Sequence, residues 1–217
     1  MTKPAPALTD AAPQVPPGTT GRILLIACGA LAREILALTR SHGWDHLHLH
    51  CLPANLHHTP DKIVPAVEKM VAERRDQFDD IFVVYADCGT GGLLEAACER
   101  LGVRMIAGPH CYSFFEGNEA FDALGEMTAF YLTDFSVRQF NAFIVKPLGL
   151  DRHPELREMY FGNYEKVVYQ AQIDDPELTK KAEECAAFLG LPFERRFTGY
   201  GDLQNSLADL AQGRTGA

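Results

Sequence analysis

Short apolar runs that end in turns alternate with stretches of helical spacing along most of this chain. GRILLIACGA holds an unbroken apolar run closing in Cys28 and Gly29, which predicts a buried strand. Leu31, Ile35 and Leu38 then share one helical face, with Gly43 as the stop. In HLHLHCLP, Leu47, Leu49 and Cys51 alternate with His46, His48 and His50, the period of a half-exposed strand. Pro60 opens a helix over KIVPAVEKMVAERRDQF, with Pro65 in or just past its first turn. DDIFVVYADCG predicts a central strand covered on both faces, TGGLLEAACERLG a helix ending at Gly102, and VRMIAGPHC another strand. This alternation predicts the α/β class: a doubly wound, mostly parallel sheet of about five to six strands with helices on both faces.

The middle of the chain changes character. Across residues 120–148, Leu132, Phe135 and Phe143 fall at helical spacing, and Asp134 with Arg138 suits an i,i+4 pair on the wet side. DRHPELREMYF reads as a short helix and KVVYQAQ as a strand. DPELTKKAEECAAFLG follows as a helix capped by Asp174 or Asp175, then FERRFTGYG as a last strand and DLQNSLADLAQ as a last helix. The expected organisation is a disordered leader over 1–20 and a single α/β domain over 21–212, followed by a flexible tail over 213–217. Within the domain, residues 112–163 form an aromatic-rich helical insertion or lid. The leader is rich in Pro, Ala and Thr and lacks the apolar core of a secretion signal.

Composition narrows the partners. With 47% hydrophobic and 23% charged residues the chain is ordinary globular material, and its formal charge of -9 speaks against nucleic acid and anionic membranes. No apolar run approaches the roughly 20 residues that span a bilayer. A cytoplasmic location is the default, and there the six cysteines are expected to be buried, reactive or metal-bound rather than paired.

Cys28, Cys88 and Cys111 each lie where a candidate strand gives way to a turn. In a parallel sheet the loops after the strand C-termini share one edge, and ligands bind along it. Helix starts just downstream favour thiolates. Three single thiolates suit a 4Fe–4S cluster with one free iron, which is the favoured cofactor, or a zinc ion with an open position. The paired CxxC ligands of a zinc ribbon are missing, and Cys51 is a candidate fourth ligand or substitute. Two thiols completed by a His or Asp, or three thiols buried as small apolar residues, are the alternatives. Cys98 and Cys185, inside amphipathic helices, fit that last description.

His57 and His110 are the candidate catalytic acid–base groups, with His58 beside them; His46 and His48 are expected on the polar face and His153 at a helix start. Gly89, Thr90, Gly91 and Gly92 form a turn whose amides could cradle an anionic substrate group, although a plain tight turn explains the glycines equally well. Tyr112, with Phe114 and Phe115, could roof the pocket, and Tyr200 could line the same edge.

CGALAREI, LPANLHHTP, YADCGTGG, GPHCYSFF, YLTDFSVRQF, GLDRHPEL, YFGNYEKVVY and TGYGDL together resemble the family called domain of unknown function 1638, over residues 22–210. The resemblance implies no particular activity; the genomic company of its members implies a link to corrinoid-dependent methyl transfer. The expected function is that of a metal-dependent protein, in all expectation an enzyme, whose cluster has an open coordination site that engages a small-molecule substrate. The alternatives are a zinc–thiolate protein of corrinoid-linked methyl transfer, a non-catalytic metal-delivery or accessory protein, and a metal-free binding domain. An accessory role would dock a corrinoid or methyltransferase protein through an apolar patch around Phe114, Phe115 and Phe121. A homo-oligomer is compatible with all of these.

Overall fold

Two parallel sheets, each with its own apolar core, organise residues 21–213, which are the residues the computed structural model describes. The expected leader over 1–20 lies outside the described residues, as does the expected tail apart from Gly213.

β1 (Ile23–Cys28) is buried along its whole length at the middle of the first sheet. Its ILLIAC run has apolar side chains on both faces, as a strand covered from both sides requires. β2 (Leu47–Leu52) pairs on one side, β3 (Asp80–Val84) on the other, and β4 (Arg104–Met105) lies beyond β3, all parallel. The helices α1 (Ala32–His42), α2 (Ile63–Arg74) and α3 (Leu93–Leu101) carry the chain from each strand to the next. The strand order β2-β1-β3-β4 reverses direction between β1 and β3. A crevice opens beyond the C-terminal ends of those two strands, the usual ligand position in open α/β sheets.

From the first sheet the chain passes through α4 (Ser113–Glu116) and α5 (Asn118–Leu124) into a second sheet. That sheet has the order β5 (Ala129–Thr133), β6 (Lys166–Ala171), β7 (Phe193–Phe197), again parallel. β5 leads to β6 through α6 (Asp134–Arg138), a π-helical turn (Asn141–Val145) and α7 (Leu156–Phe161), and α8 (Pro176–Leu189) joins β6 to β7. α9 (Gly201–Ala211) then returns to the first core, burying Leu203, Leu207 and Leu210 there. Its first residue, Gly201, has φ +44°, and a Cβ at that position would run into the carbonyls of Phe114 and Phe115. Glycine is what lets α9 seat against α4.

The α/β class and the parallel pairing are as expected from the chain's pattern, with the strands shared between two sheets. The stretch read as helical insertion contains β5. Leu132 turns into the second core, Ala129, Tyr131 and Thr133 line a cavity on the opposite face, and Phe130 touches both.

Polar groups join the two halves. Arg196 on β7 pairs with Glu116 of α4 at 3.1 Å, with Glu126 at 2.8 Å and with Glu194 at 2.6 Å. Lys166 meets Glu126 and Glu194 as well. The Arg196 guanidinium is the chief reason that the Glu126 carboxyl is held down at about 2. Asp134 and Arg138 do not form the wet-side pair expected of them. Asp134 is buried, accepting the Tyr169 hydroxyl at 2.7 Å and the Gln172 amide at 3.2 Å. Glu34 of α1 is buried as well and feels the charges of Asp134 and Arg138.

Burial pushes the Glu34 carboxyl from its ordinary 4.5 up to about 7. An acid raised in the folded state contributes stability below its unfolded pKa, and that contribution is lost as pH rises through the folded one. Glu34→Gln cannot ionise. In urea unfolding it is expected to match the native chain near pH 4.5 and to exceed it at pH 8, by on the order of 1–3 kcal/mol. A gap of the same size at both pH values would show that Glu34 does not titrate in this window.

Candidate functional site: a cavity walled by three thiols

Cys28 ends β1, Cys88 lies just past β3, and Cys111 lies in the loop after β4. All three line one cavity of about 400 Å³ at the crevice between the strand ends. Cys88 Sγ and Cys111 Sγ are 3.1 Å apart, and the Cys28 thiol hydrogen-bonds with Cys111. All six cysteines of the chain are free.

Each thiol is aimed by local backbone. Cys28 precedes a 3-10 turn (Gly29–Leu31), which points the Ala30 amide at its sulfur. A Cβ on Gly29 would lie 3.0 Å from the Leu52 carbonyl, so glycine lets this turn press against the end of β2. Cys88 has φ +47° and is the one non-glycine residue with positive φ among the described residues. That conformation costs about 1–2 kcal/mol. Two backbone bonds hold it: the Cys88 N–H donates to the Pro109 carbonyl at 3.1 Å, and the Asp87 N–H to the Gly108 carbonyl at 3.0 Å. They tie the β3 loop to the segment that leads into Cys111, whose own amide points at the Cys88 sulfur.

The three thiols share their protons unequally. Hydrogen bonding with Cys111 holds the Cys28 and Cys88 thiols below their ordinary value, against the opposing effect of burial. Cys111, bonded to both neighbours and buried between them, is pushed well up. Hydrogen bonding thus favours deprotonation of the outer sulfurs over the middle one. Among the described residues no group of three or more His, Cys, Asp or Glu side chains already stands in metal-holding positions. The sulfurs are packed against one another instead.

Tyr85 was not among the residues singled out from the sequence. It is 2% exposed, and its buried hydroxyl lies at the cavity wall with the Cys28 sulfur as its hydrogen-bonding neighbour. Burial first, then the charges of Cys28 and Cys111, push its pKa up, so the hydroxyl keeps its proton. The available signal was a lone tyrosine within the apolar run FVVYA, since a buried hydroxyl must find a partner.

His57, His58, His110 and Tyr112 line the same cavity. Desolvation lowers the pKa of His57 and of His110, which keeps both imidazoles neutral near pH 7. His58 reaches across to the second half: its Nε2 lies 3.0 Å from the Phe143 carbonyl, which can only accept, so that nitrogen carries the proton. The π-helical turn presents Phe143 and Ile144 to the cavity, in keeping with the frequent placement of such turns at functional sites.

Several expected residues stand elsewhere. The amides of Gly89, Gly91 and Gly92 and the Thr90 hydroxyl are engaged by the Asp87 carboxylate, at 2.7 to 3.2 Å. The chain supplies its own anion to this turn, which holds the Asp87 carboxyl below its ordinary value and leaves no cradle for a substrate. None of these four residues lines the cavity. Tyr200 packs against the first core ahead of α9 and does not line it either. Cys51 sits on β2 opposite Ala27, where burial first and then the Cys28 charge raise its pKa, but outside the cavity wall. Phe114 and Phe115 are buried, so they form no exposed apolar patch with Phe121.

An α/β protein with a sulfur-walled cavity at its topological switch point is what the fold and the site define. The chain belongs to the family described as protein of unknown function (DUF1638), which matches residues 51–207 and so takes in Cys88 and Cys111, with Cys28 upstream of the match. No curated protein and no solved structure matches the chain. Among the described residues no helix is long and apolar enough to cross a membrane.

The thiol chemistry has a direct readout. Burial pushes Cys98 and Cys185 up to about 11, whereas Cys28 and Cys88 are lowered and open onto the cavity. Iodoacetamide at pH 7.5 is expected to label Cys28 and Cys88 before Cys98 and Cys185, as followed by peptide mass spectrometry. Earlier labelling of either helix cysteine would contradict the proton distribution described above.

Proposed function

We propose that Cys28, Cys88 and Cys111 bind a thiophilic metal and leave one coordination position open to a small molecule in the adjoining cavity. The observation that carries this reading is the meeting of three thiols from three distant loops at one cavity wall, two of them 3.1 Å apart. Metal–sulfur bonds near 2.3 Å in tetrahedral geometry place the sulfurs about 3.8 Å apart. Opening the Cys88–Cys111 contact by less than about 1 Å and displacing the Cys111 proton meets that need. The spacing thus favours a single zinc-type ion.

A 4Fe–4S cluster spreads its ligand sulfurs to about 6–7 Å and requires a larger movement of the loops. It is the second reading, favoured by the roughly 400 Å³ of space directly beside the thiols. In either case the bound group would act as a soft Lewis acid that polarises a substrate atom. Neutral His57 and His110, on the same cavity wall, suit a general base. Six free cysteines suit a reducing compartment such as the cytoplasm.

The test is anaerobic expression, followed by reconstitution with zinc and, separately, with iron and sulfide. One zinc per chain without colour is expected, and about four irons per chain with broad visible absorption would select the cluster. Cys28→Ser, Cys88→Ser and Cys111→Ser are each expected to weaken metal binding at least about tenfold, with Cys98→Ser and Cys185→Ser unchanged. Full metal retention by all three cavity variants would refute the proposal.

A further inference from the structure

β7 is the outermost strand of the second sheet and is paired on one side only. The Val167 amide donates to the Pro192 carbonyl at 2.8 Å, and the Thr198 amide donates to the Ala171 carbonyl at 3.0 Å. Every second residue of a parallel strand faces its neighbour, so Pro192, Glu194, Arg196 and Thr198 turn their backbone groups toward β6. The N–H and C=O groups of Phe193, Arg195 and Phe197 therefore point outward, and no strand among the described residues pairs with them.

Side chains alternate across this edge. Phe193 packs against the second core, and Arg195 donates to Thr179 of α8 at 3.1 Å and to Asp174 at 2.6 Å. Glu194 and Arg196 lie on the opposite face, in the network that Lys166 shares. Phe197, at the end of the strand, is 62% exposed.

Set antiparallel to itself about Arg195, the segment FERRF is self-complementary. Glu194 of one copy falls opposite Arg196 of the other, twice over by symmetry, and Phe197 falls opposite Phe193. The outward backbone groups make 193 with 197, and 195 with itself, the hydrogen-bonded pairs. That leaves Glu194 and Arg196 as a non-hydrogen-bonded pair, the kind whose side chains stand closer. Arg195 meets its own copy at the axis, a like-charge contact offset by the Asp174 that each guanidinium already holds. Charges that guard an edge strand do so by repelling a second copy, whereas this pattern attracts one. The other edges lack the match: LHLHCL of β2 and AFYLT of β5 contain no carboxylate, and β4 has only two residues.

We propose that β7 is the contact between two copies of this chain, joined antiparallel about Arg195 into one continuous sheet with three strands from each copy. The proposal goes beyond the metal reading and does not depend on what the thiols bind.

Sedimentation velocity on the full chain, from about 1 to about 100 µM, is expected to show a monomer–dimer equilibrium. Phe197→Pro removes an outward N–H and an exposed ring without touching the β6 ladder, and Phe197→Lys sets a cation beside Arg195 of both copies. Each is expected to weaken association at least about tenfold, with the thermal midpoint at the lowest concentration unchanged. Met127→Ser, at a residue 90% exposed beside the far strand β5, is expected to leave association as it is. A benzoylphenylalanine placed at position 197 is expected to photocross-link to the segment around Phe193 of a second copy, as read by peptide mass spectrometry. A monomer throughout the range overturns the proposal, as does a dimer that neither Phe197 variant weakens or a cross-link that maps to another element.

Discussion

The parallel pairing of β1 with β3 is the constraint from which the site follows. Ile23 faces Asp80 and Ala27 faces Val84 in register, so the two strands run level and their loops leave the sheet side by side. Because β2 and β4 lie on outer sides, the connections diverge and leave a gap between the strand ends, which residues of the second half roof. Cys28 stands at the end of one strand and Cys88 shortly after the other. Both strands are buried on both faces, and the core around them holds the ends from which the sulfurs are launched.

Much of this first half was legible in the chain because its signals are local. ILLIAC and DIFVV are too apolar for anything but a covered strand, and LHLHCL alternates as an edge should. The second sheet was harder, for a physical reason. AFYLT is apolar or weakly polar at every position, since one face packs in a core and the other lines an aromatic cavity. Period two vanishes when both faces are dry, and Leu132 and Phe135 then mimic helical spacing. Which sheet a strand joins is a long-range matter: nothing in KVVYQA marks β5 and β7 as its neighbours rather than β4.

The site was legible in its sulfurs and histidines and hidden in its supporting groups. A cysteine at a strand end is a conspicuous position, and a histidine beside it equally so. Tyr85 looked like one more apolar residue, because its role depends on a hydroxyl whose surroundings only the fold creates. The glycine turn suggested an anion cradle, and the anion turned out to be Asp87 from the same loop. Asp134 was read as solvated by its spacing to Arg138, yet β6 brings Tyr169 and the Gln172 amide over it. Each of these readings depended on a partner distant in sequence or on the burial of a neighbour.

The energetic cost of the arrangement is concentrated in a few places that face the cavity or the seam between the halves. Cys88 holds a left-handed backbone that glycine would adopt more easily, and Tyr85 buries a hydroxyl whose neighbour is the Cys28 sulfur, a weak acceptor. Gln170 is fully buried on β6 with neither amide atom paired, and Glu34 keeps a carboxyl where water is absent. Packing alone would replace every one of these with an apolar side chain or a glycine. Strain and unsatisfied polarity of this kind persist only where the surrounding cores can carry them, and here two well-filled cores lie on either side. Cys88 and Tyr85 both stand at the wall that the thiols share.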